Sequence, residues 1–351
     1  MNLEKDYKEL HKIPEIGFKE YKTKEYILNR LKQLNTKIYE VGQTGLIAFF
    51  DFNEIKTIAF RAELDGLNIK EENDLEYKSI YEGFMHACGH DGHMSIALSL
   101  CDWLNENTAP NNVCVIFQPS EEIFGGALEV VNSNIFKQLN IKEIYALHLW
   151  PTLKEGVIYS KSGSLLASST EIDIQIVGKS AHIANYNEGI DSIKVANDFL
   201  SRLSSSHDLI FNCGKIITKG SRNTVCADIL LECSLRSFSV TKKYFFLEML
   251  SRIAKELVKK YSVNIYINSE KYLPVVTNDY GLFLKNNNLI NEITEPFYQS
   301  EDFSLYSNYA KTLFFLLGTG DTECLHSSKF MFNLELLQKG LDLFINIANQ
   351  K

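Results

Sequence analysis

Three short, continuous apolar runs constrain the fold of this 351-residue chain more than any other feature of its sequence. They cover residues 113–117, 144–149 and 313–317, and each has the length of a β-strand without the alternation of a half-exposed one. Such runs suit strands covered on both faces, as in a largely parallel sheet with flanking helices. Matching patterns predict strands at 45–52 and 57–64 and helices at 23–35 and 93–105. The sequence therefore predicts an α/β domain.

The hydrophobic pattern changes between residues 169 and 272, where apolar and polar side chains alternate strictly along the predicted strands. The predicted strands lie at 170–177, 215–219, 227–238 and 262–269, and the predicted helices at 189–206 and 241–261. This β-α-β-β-α-β order, with one apolar face per strand, describes a ferredoxin-like α+β domain. We therefore predict that residues 169–272 form a domain inserted into an α/β domain made of residues 1–168 and 273–351.

Polar side chains of metal-binding type follow the predicted strands. They are Asp65, Glu121, Glu122, His148 and His326. In open α/β sheets, ligands gather at the carboxyl ends of the strands, so we expect these residues to meet at one edge of the sheet. A lone histidine in an apolar strand, such as His148, is more often a core residue, so the combination carries the argument.

The densest cluster of such residues is His86-Ala-Cys-Gly-His-Asp-Gly-His93. Within it, Cys88 and His90 lie two residues apart just before a predicted helix, and they could bind one metal ion or bridge two. Thiolate, imidazole and carboxylate are the ligand types that Zn²⁺ accepts. The chain lacks the paired C-x-x-C motifs of a structural zinc module, so an open, catalytic site is favoured. His86 and His93 are not assigned as ligands.

Glu121 and Glu122 are adjacent carboxylates at the end of a buried strand, where like charges repel unless a cation relieves them. One can then serve as a metal ligand and the other as a general base for water. The alternative is a solvated acidic turn. In the inserted domain, His182 lies after the first strand, Asn223 precedes the third, and Arg236 lies on its polar face. A surface role is the default for these three.

Composition excludes several classes of function. A formal net charge of -8 argues against nucleic acid or an anionic membrane as the main partner. The sequence has no apolar run near the ~20 residues of a membrane span, and its charged start does not resemble a secretory signal. The 7 cysteines are scattered, which fits reduced thiols. We therefore expect a cytoplasmic enzyme.

Several segments resemble the amidohydrolase branch of the M20 metallopeptidase family, which includes aminoacylases, hippurate hydrolases and N-acetyldiaminopimelate deacetylases. The most specific are HACGHDGH at 86–93 and QPSEE at 118–122, supported by HKIPEIG at 11–17, RAELDGL at 61–67, ALHL at 146–149, SEDFS at 300–304 and LHS at 325–327. The segment RAELDGL departs from the usual RADxDAL, and the lid segment at 178–187 keeps His182 but changes its surroundings. The start of the chain is most similar to the N-acetyldiaminopimelate deacetylases, which act in lysine biosynthesis.

The resemblance implies roles for the candidate residues. Cys88, His90, Glu122, His148 and His326 match the ligands of two divalent ions, with Zn²⁺ favoured over Mn²⁺, Co²⁺ or Ni²⁺. Glu121 matches the general base, and Asp65 lies behind the ligands. In the inserted domain, which is a lid in the family, His182 matches the residue that stabilises the oxyanion. Asn223 and Arg236 match residues that bind the substrate carboxylate.

The function expected from these residues is metal-dependent removal of an acyl group, with acetyl favoured, from an N-acyl amino acid such as N-acetyl-diaminopimelate. The resemblance also implies a homodimer formed through the lid. Two alternatives stay open: a dipeptidase or carboxypeptidase of the same family, and a catalytically silent metal-binding relative.

Overall fold

The computed structural model describes residues 2–351. The α-helices in that range are α1 (Leu3–His11), α2 (Tyr21–Leu31), α3 (His90–Glu106), α4 (Gly126–Asn132), α5 (Asn134–Gln138), α6 (Ser192–Ser201), α7 (Val240–Tyr261), α8 (Tyr280–Lys285) and α9 (Leu336–Ala348). The strands are β1 (Lys37–Val41), β2 (Gly45–Phe50), β3 (Thr57–Glu63), β4 (Asn112–Gln118), β5 (Ile141–Trp150), β6 (Ile158–Ser160), β7 (Gly163–Leu166), β8 (Ser168–Val177), β9 (Leu209–Thr218), β10 (Asp228–Ser237), β11 (Asn264–Asn268), β12 (Tyr272–Leu273), β13 (Val276–Asn278), β14 (Asn291–Glu292) and β15 (Lys311–Gly318). Short 3₁₀ helices lie at Ile183–Glu188, Asn287–Leu289 and Asp302–Asn308.

The described chain forms two compact units. The first consists of the residues up to Leu165 together with Val276–Pro296 and Asp302–Lys351, and the second of Leu166–Val275 with Phe297–Glu301. The segment 297–301 differs from the predicted division, because Ala167 donates backbone hydrogen bonds to the carbonyl oxygens of Phe297 and Gln299.

A mixed sheet forms the centre of the first unit, with strand order β1-β2-β4-β3-β5-β15-β6-β14. The predicted parallel part is confirmed: β4, β3, β5 and β15 run parallel to their neighbours in this order. Strands β1, β2 and β6 pair in antiparallel fashion and make the sheet mixed rather than uniformly parallel. Every residue of β3 and β4 is buried, as expected for inner strands of a sheet that is covered on both faces.

Helix α3 carries the candidate ligand His90 and is deeply buried: residues 90–101 are all buried. It packs against α1, α9 and β3. Gly92 and Gly340 allow this close packing, because a Cβ at Gly340 would approach Cδ1 of Ile96 to 2.6 Å. The start of α3, which carries the candidate ligand His90, is therefore fixed by packing on several sides.

The second unit has the predicted β-α-β-β-α-β order, from β8 through α6, β9, β10 and α7 to β11. Its sheet is antiparallel, with order β11-β8-β10-β9. Alternate residues of β8 such as Ile172, Ile174 and Ile176 are fully buried and pack with α6 and α7 side chains in one core. Helix α6 begins at Ser192 rather than near 189, because the Asp191 side chain accepts a hydrogen bond from the Ile193 amide.

In residues 2–351, none of the helices combines the length and the apolar character needed to cross a membrane.

Candidate metal centre

Helix α3 presents an unpartnered imidazole nitrogen at its first residue. His90 is fully buried, and its Nδ1 donates a hydrogen bond to the backbone oxygen of Asp65 at 2.8 Å. A carbonyl oxygen only accepts, so Nδ1 carries a proton, and Nε2 is the nitrogen left for a metal ion to bind. Nε2 has no hydrogen-bond partner among the described residues. A buried ring nitrogen without a protein partner fits a metal ligand.

His148, near the end of β5, is oriented in the same way, by a hydrogen bond from Nδ1 to a backbone oxygen. Its Nδ1 donates to the backbone oxygen of Leu149 at 2.7 Å, which leaves the Nε2 lone pair 3.5 Å from Sγ of Cys88. Burial and the neighbouring His93 hold the pKa of His148 well below its usual range. The ring is therefore neutral, as a metal ligand must be.

The candidate ligands form two groups that share one thiol. Cys88, His90 and His148 each place a ligand atom within 4.8 Å of the others, and so do Cys88, Glu122 and His326. A third group under the same limit consists of His90, Glu121 and Glu122. The donor set of a thiol, imidazoles and carboxylates suits a borderline divalent ion.

His326 reaches this cluster from a strained backbone position. Its φ of 66° lies in the left-handed region, and its amide donates to the backbone oxygen of Ala87 at 2.8 Å. The Nε2 atom lies 3.1 Å from Oε1 of Glu122. Strain of this kind is found where the surrounding structure holds a functional side chain in place.

Neighbouring opposite charges shift the pKa values of two candidate ligands, His90 and Glu122. Burial lowers the pKa of His90, but Asp65, Glu63 and Glu122 outweigh it and raise that pKa to about 10. Burial likewise raises the pKa of Glu122, but His326 and His90 outweigh it and lower that pKa below its ordinary value. The carboxylates that raise the pKa of His90 favour a cation at its ring, either a proton on Nε2 or a metal ion in the place of that proton.

Asp65 fixes the turn that follows β4. One of its carboxylate oxygens accepts the amide of Glu121 at 3.0 Å, and the other accepts the amide of Glu122 at 2.9 Å. Since its backbone oxygen also orients His90, this single residue links the candidate base, one candidate ligand and the start of α3. Such outer contacts orient metal ligands.

His93 belongs to a different network, although it lies in the same octapeptide as His90. Its Nδ1 contacts Oε2 of Glu63 at 2.8 Å, and its Nε2 accepts the amide of Leu149 at 3.0 Å. Both nitrogens are therefore used, and neither is available to an ion. Glu63 also pairs with the buried Arg61, which binds Asp302 at 2.6 Å.

His86 lies outside the three ligand groups described above. It is 2% exposed, and neither ring nitrogen has a hydrogen-bond partner among the described residues. Burial lowers its pKa to about 4, so the ring is neutral.

The remaining candidate residues lie in the second unit. His182 and Thr224 form a β-bridge, and the amide of Ile183 donates to the backbone oxygen of Asn223 at 2.9 Å, so the structure brings His182 and Asn223 together. Both are exposed. Arg236 on β10 donates to Oγ of Ser300, and the described residues place no carboxylate within 4.0 Å of its guanidinium.

Comparison with known proteins assigns the chain to a family. Residues 59–350 match the family described as Peptidase family M20/M25/M40. The chain belongs to this family. It is therefore a hydrolase of the M20 type, as the resemblance at 86–93 and 118–122 implies.

Two curated relatives and one solved structure illustrate the similarity. The N-acetyldiaminopimelate deacetylase of Oceanobacillus iheyensis is 31% identical over 99% of this chain and 98% of that protein. The protein of the same name from Streptococcus uberis is 31% identical over 92% of this chain and 91% of its own length. The Bacillus subtilis YXEP protein, described as a dinuclear metal-binding peptidase from the M20 family, is 29% identical. Its structure superposes with a TM-score of 0.86 over 99% of this chain and 96% of that one.

Sequence reasoning missed one polar triad beside the candidate site of this M20 protein. His11 on α1 contacts Asp91 through Nδ1 at 2.6 Å and Glu71 through Nε2 at 3.1 Å. Asp91 directly follows His90 on α3, so the triad ties α1 to the start of that helix. The motif HKIPEIG contains His11, but no local signal identifies partners 60 and 80 residues away.

Proposed function

We propose that this M20 hydrolase removes an acetyl group from an N-acetyl amino acid in a metal-dependent reaction, with N-acetyl-diaminopimelate as the favoured substrate. The observation that carries the proposal is the pair of ligand groups that share Cys88, with Glu121 beside them. The substrate is suggested by relatives named N-acetyldiaminopimelate deacetylase that align over nearly the whole chain.

We infer that two divalent ions would be held by the five candidate ligands, Cys88, His90, Glu122, His148 and His326. The unpartnered Nε2 of His90 and the neutral ring of His148 support this assignment. Zn²⁺ is the first choice because it accepts thiolate, imidazole and carboxylate together, and Mn²⁺, Co²⁺ or Ni²⁺ are alternatives.

Bound divalent ions supply Lewis-acid chemistry, since they lower the pKa of water and polarise an amide carbonyl. We assign the proton transfer to Glu121, whose carboxylate lies in one group with His90 and Glu122. It would accept the proton of the attacking water and deliver it to the departing amine nitrogen. Asp65 holds the backbone amide of Glu121 and so fixes the place from which this side chain extends.

Recognition of the substrate is assigned to the second unit. Burial lowers the pKa of Arg236, but the guanidinium remains charged, and the described residues give it no carboxylate partner. A free substrate carboxylate would supply that partner through two parallel hydrogen bonds. Asn223 would assist in binding it. His182 would stabilise the oxyanion that develops on the amide carbonyl.

We further propose a cytoplasmic homodimer formed through the second unit. Its surface exposes Ile183, Tyr186, Ile193 and Ile216 to between 49% and 57%, and the first three of them line one pocket that a second copy of the chain could cover. Light scattering of the purified protein measures the oligomeric state directly. A monomer at working concentration would contradict the proposal.

A substrate panel tests the proposed function. We expect hydrolysis of N-acetyl-diaminopimelate to exceed that of N-acetylcysteine, hippurate and simple dipeptides when all are compared by kcat/KM. Preferred cleavage of dipeptides would identify a peptidase instead. No hydrolysis of any member by metal-loaded protein would favour a catalytically silent relative.

A further inference from the structure

A buried glutamate from the N-terminal segment contacts the turn that carries Glu121 and Glu122. Glu20 immediately precedes α2 and is fully buried. Its Oε1 accepts the backbone amide of Ser120 at 2.7 Å, and its Oε2 accepts the hydroxyl of Thr44, also at 2.7 Å. Both oxygens of this carboxylate are therefore used inside the protein.

The residue that Glu20 binds has a constrained backbone. Ser120 has a φ of 48°, in the left-handed region that non-glycine residues seldom adopt, and it is fully buried. Its Oγ donates to the backbone oxygen of Ile123 at 2.9 Å. Gly17 packs against the same hydroxyl so closely that a Cβ there would overlap it. The N-terminal segment thus covers the turn directly.

Two carboxylates hold three successive amides of this turn. Glu20 accepts the amide of Ser120, and Asp65 accepts those of Glu121 and Glu122. The two carboxylates come from segments 45 residues apart in the chain (65 − 20), so the turn is held from two directions. Both contacts therefore act on the stretch of backbone from which the two glutamate side chains leave.

We propose that Glu20 is a positioning residue for the metal centre: it holds the amide of Ser120 and so sets the places of the base Glu121 and the ligand Glu122. This inference rests on the proposed function for the roles of those two residues. Glu20 itself contacts no reacting group.

The physical reason is the cost of an unsatisfied buried amide. Without an acceptor at position 20, the amide of Ser120 loses its hydrogen bond in a place that water does not reach. The left-handed conformation of Ser120 is then held less firmly, and the peptide can rotate toward a region that non-glycine residues adopt more often. A rotation there moves the next two side chains. Removing an outer partner of a metal site typically weakens metal affinity by about 10- to 100-fold.

Two nearly isosteric variants separate the acceptor from the packing. In Glu20→Gln, the amide oxygen still accepts from Ser120 and the amide nitrogen can donate to the Thr44 hydroxyl. In Glu20→Met, the side-chain volume is nearly kept, but the acceptor for the Ser120 amide and the Thr44 hydroxyl is gone. We expect Glu20→Met to lose about 10- to 100-fold in Zn²⁺ affinity and Glu20→Gln to stay near wild type.

Glu15 provides a matched control in the same segment. Its carboxylate accepts the amides of Lys22 and Thr23 at the start of α2, at 2.8 and 3.0 Å, and does not contact the turn. Glu15→Met should lower the free energy of unfolding while the Zn²⁺ affinity stays unchanged. Hydrogen exchange of the metal-free proteins supplies a second readout, and the amides of Ser120–Glu122 should exchange faster in Glu20→Met only.

The outcomes separate this inference from the proposed function. Neither metal affinity nor amide exchange depends on the substrate, so a wild type that hydrolyses no member of the panel leaves both measurements valid. Equal Zn²⁺ affinity and equal exchange in Glu20→Met and wild type would overturn the positioning role. The same losses in Glu15→Met would also overturn it, because they would reflect general destabilisation.

Discussion

At the scale of single residues, backbone contacts decide which histidines can bind metal. His90 and His148 each donate Nδ1 to a carbonyl oxygen and keep Nε2 available, whereas His93 uses both nitrogens. The sequence could indicate His90 and His148 as candidates because they lie at the start of a helix and near the end of a buried strand. It could not exclude His93 on physical grounds, since the partners of that ring come from Glu63 and Leu149 on other strands.

The adjacent glutamates give a prediction at this scale. Glu121→Gln should lower kcat on the order of 10²-fold or more, the usual loss of a general base, while the metal content stays near normal. Glu122→Gln should lower the metal content as well. Elemental analysis and steady-state kinetics on the same preparations measure both effects. Equal metal loss in the two variants with a normal rate for Glu121→Gln would show that the roles are assigned wrongly.

At the scale of secondary structure elements, continuous apolar runs predicted the parallel strands β4, β5 and β15. The antiparallel pairing of β2 with β4 and of β6 with β15 was not predictable, because the direction of pairing depends on the connections between strands rather than on their composition. The turn after β4 was predicted only as a place for two carboxylates. Its shape depends on Glu20 and Asp65, which lie 100 and 56 residues away from the amides they bind.

The start of α4 is predicted to tolerate no side chain at Gly126. A Cβ there would overlap the backbone oxygens of Pro119 and Ser120, which cannot move without distorting the turn. Gly126→Ala should lower the free energy of unfolding by roughly 1–3 kcal/mol. The control is Gly214→Ala on β9, where the nearest atom to a new Cβ is 3.9 Å away and the change should stay within about 0.5 kcal/mol. Urea denaturation of both variants provides the comparison, and equal losses would contradict the steric argument.

The contact between His11 on α1 and Asp91 on α3 predicts that the free energy of unfolding depends on pH. Burial lowers the pKa of His11, but Asp91 and Glu71 outweigh it and raise that pKa to about 9. Because the folded pKa lies above the unfolded value of about 6.5, the stabilisation is complete below that value and is lost as pH rises through about 9.

His11→Gln isolates this contribution. The difference in unfolding free energy between wild type and His11→Gln should be largest near neutral pH or below and shrink toward alkaline pH, by up to roughly 3 kcal/mol. Chemical denaturation at a series of pH values measures it. A difference that stays constant, or grows, with rising pH would rule out a charged His11 in the folded protein.

At the scale of the whole molecule, the strictly alternating strands after residue 168 predicted a second unit with β-α-β-β-α-β order. The structure contains a unit with this order of elements. The return of residues 297–301 to that unit was not predictable, because this short segment carries no periodic pattern. Its membership matters, since it supplies Ser300 to Arg236 and places Tyr298 against Phe238, with 4.8 Å between ring centroids.

We predict that the guanidinium of Arg236 binds the free carboxylate of the substrate. Arg236→Lys keeps the charge but loses the two-pronged contact, so KM should rise clearly, and Arg236→Ala should raise it more. Loss of a buried charge pair costs roughly 2–5 kcal/mol. The control is Arg202→Ala in the same unit, because that arginine already pairs with Asp198 at 2.8 Å and should leave KM unchanged.

A substrate with its carboxylate blocked as an amide completes this test. The blocked substrate should be poor for the wild type and little worse for Arg236→Ala, because the contact is already absent. If the mutation slowed both substrates by the same factor, Arg236 would have a structural role and another group would bind the carboxylate.

Metal dependence of amide hydrolysis tests the central claim most directly. Protein stripped by a chelator should lose hydrolysis of N-acetyl amino acids, and added Zn²⁺, Mn²⁺, Co²⁺ or Ni²⁺ should restore it, with activity levelling off at about two bound ions per chain. Cys88→Ser should bind metal more weakly, since the thiol is shared by both ligand groups. Full activity in protein that elemental analysis shows to be free of metal would contradict the account.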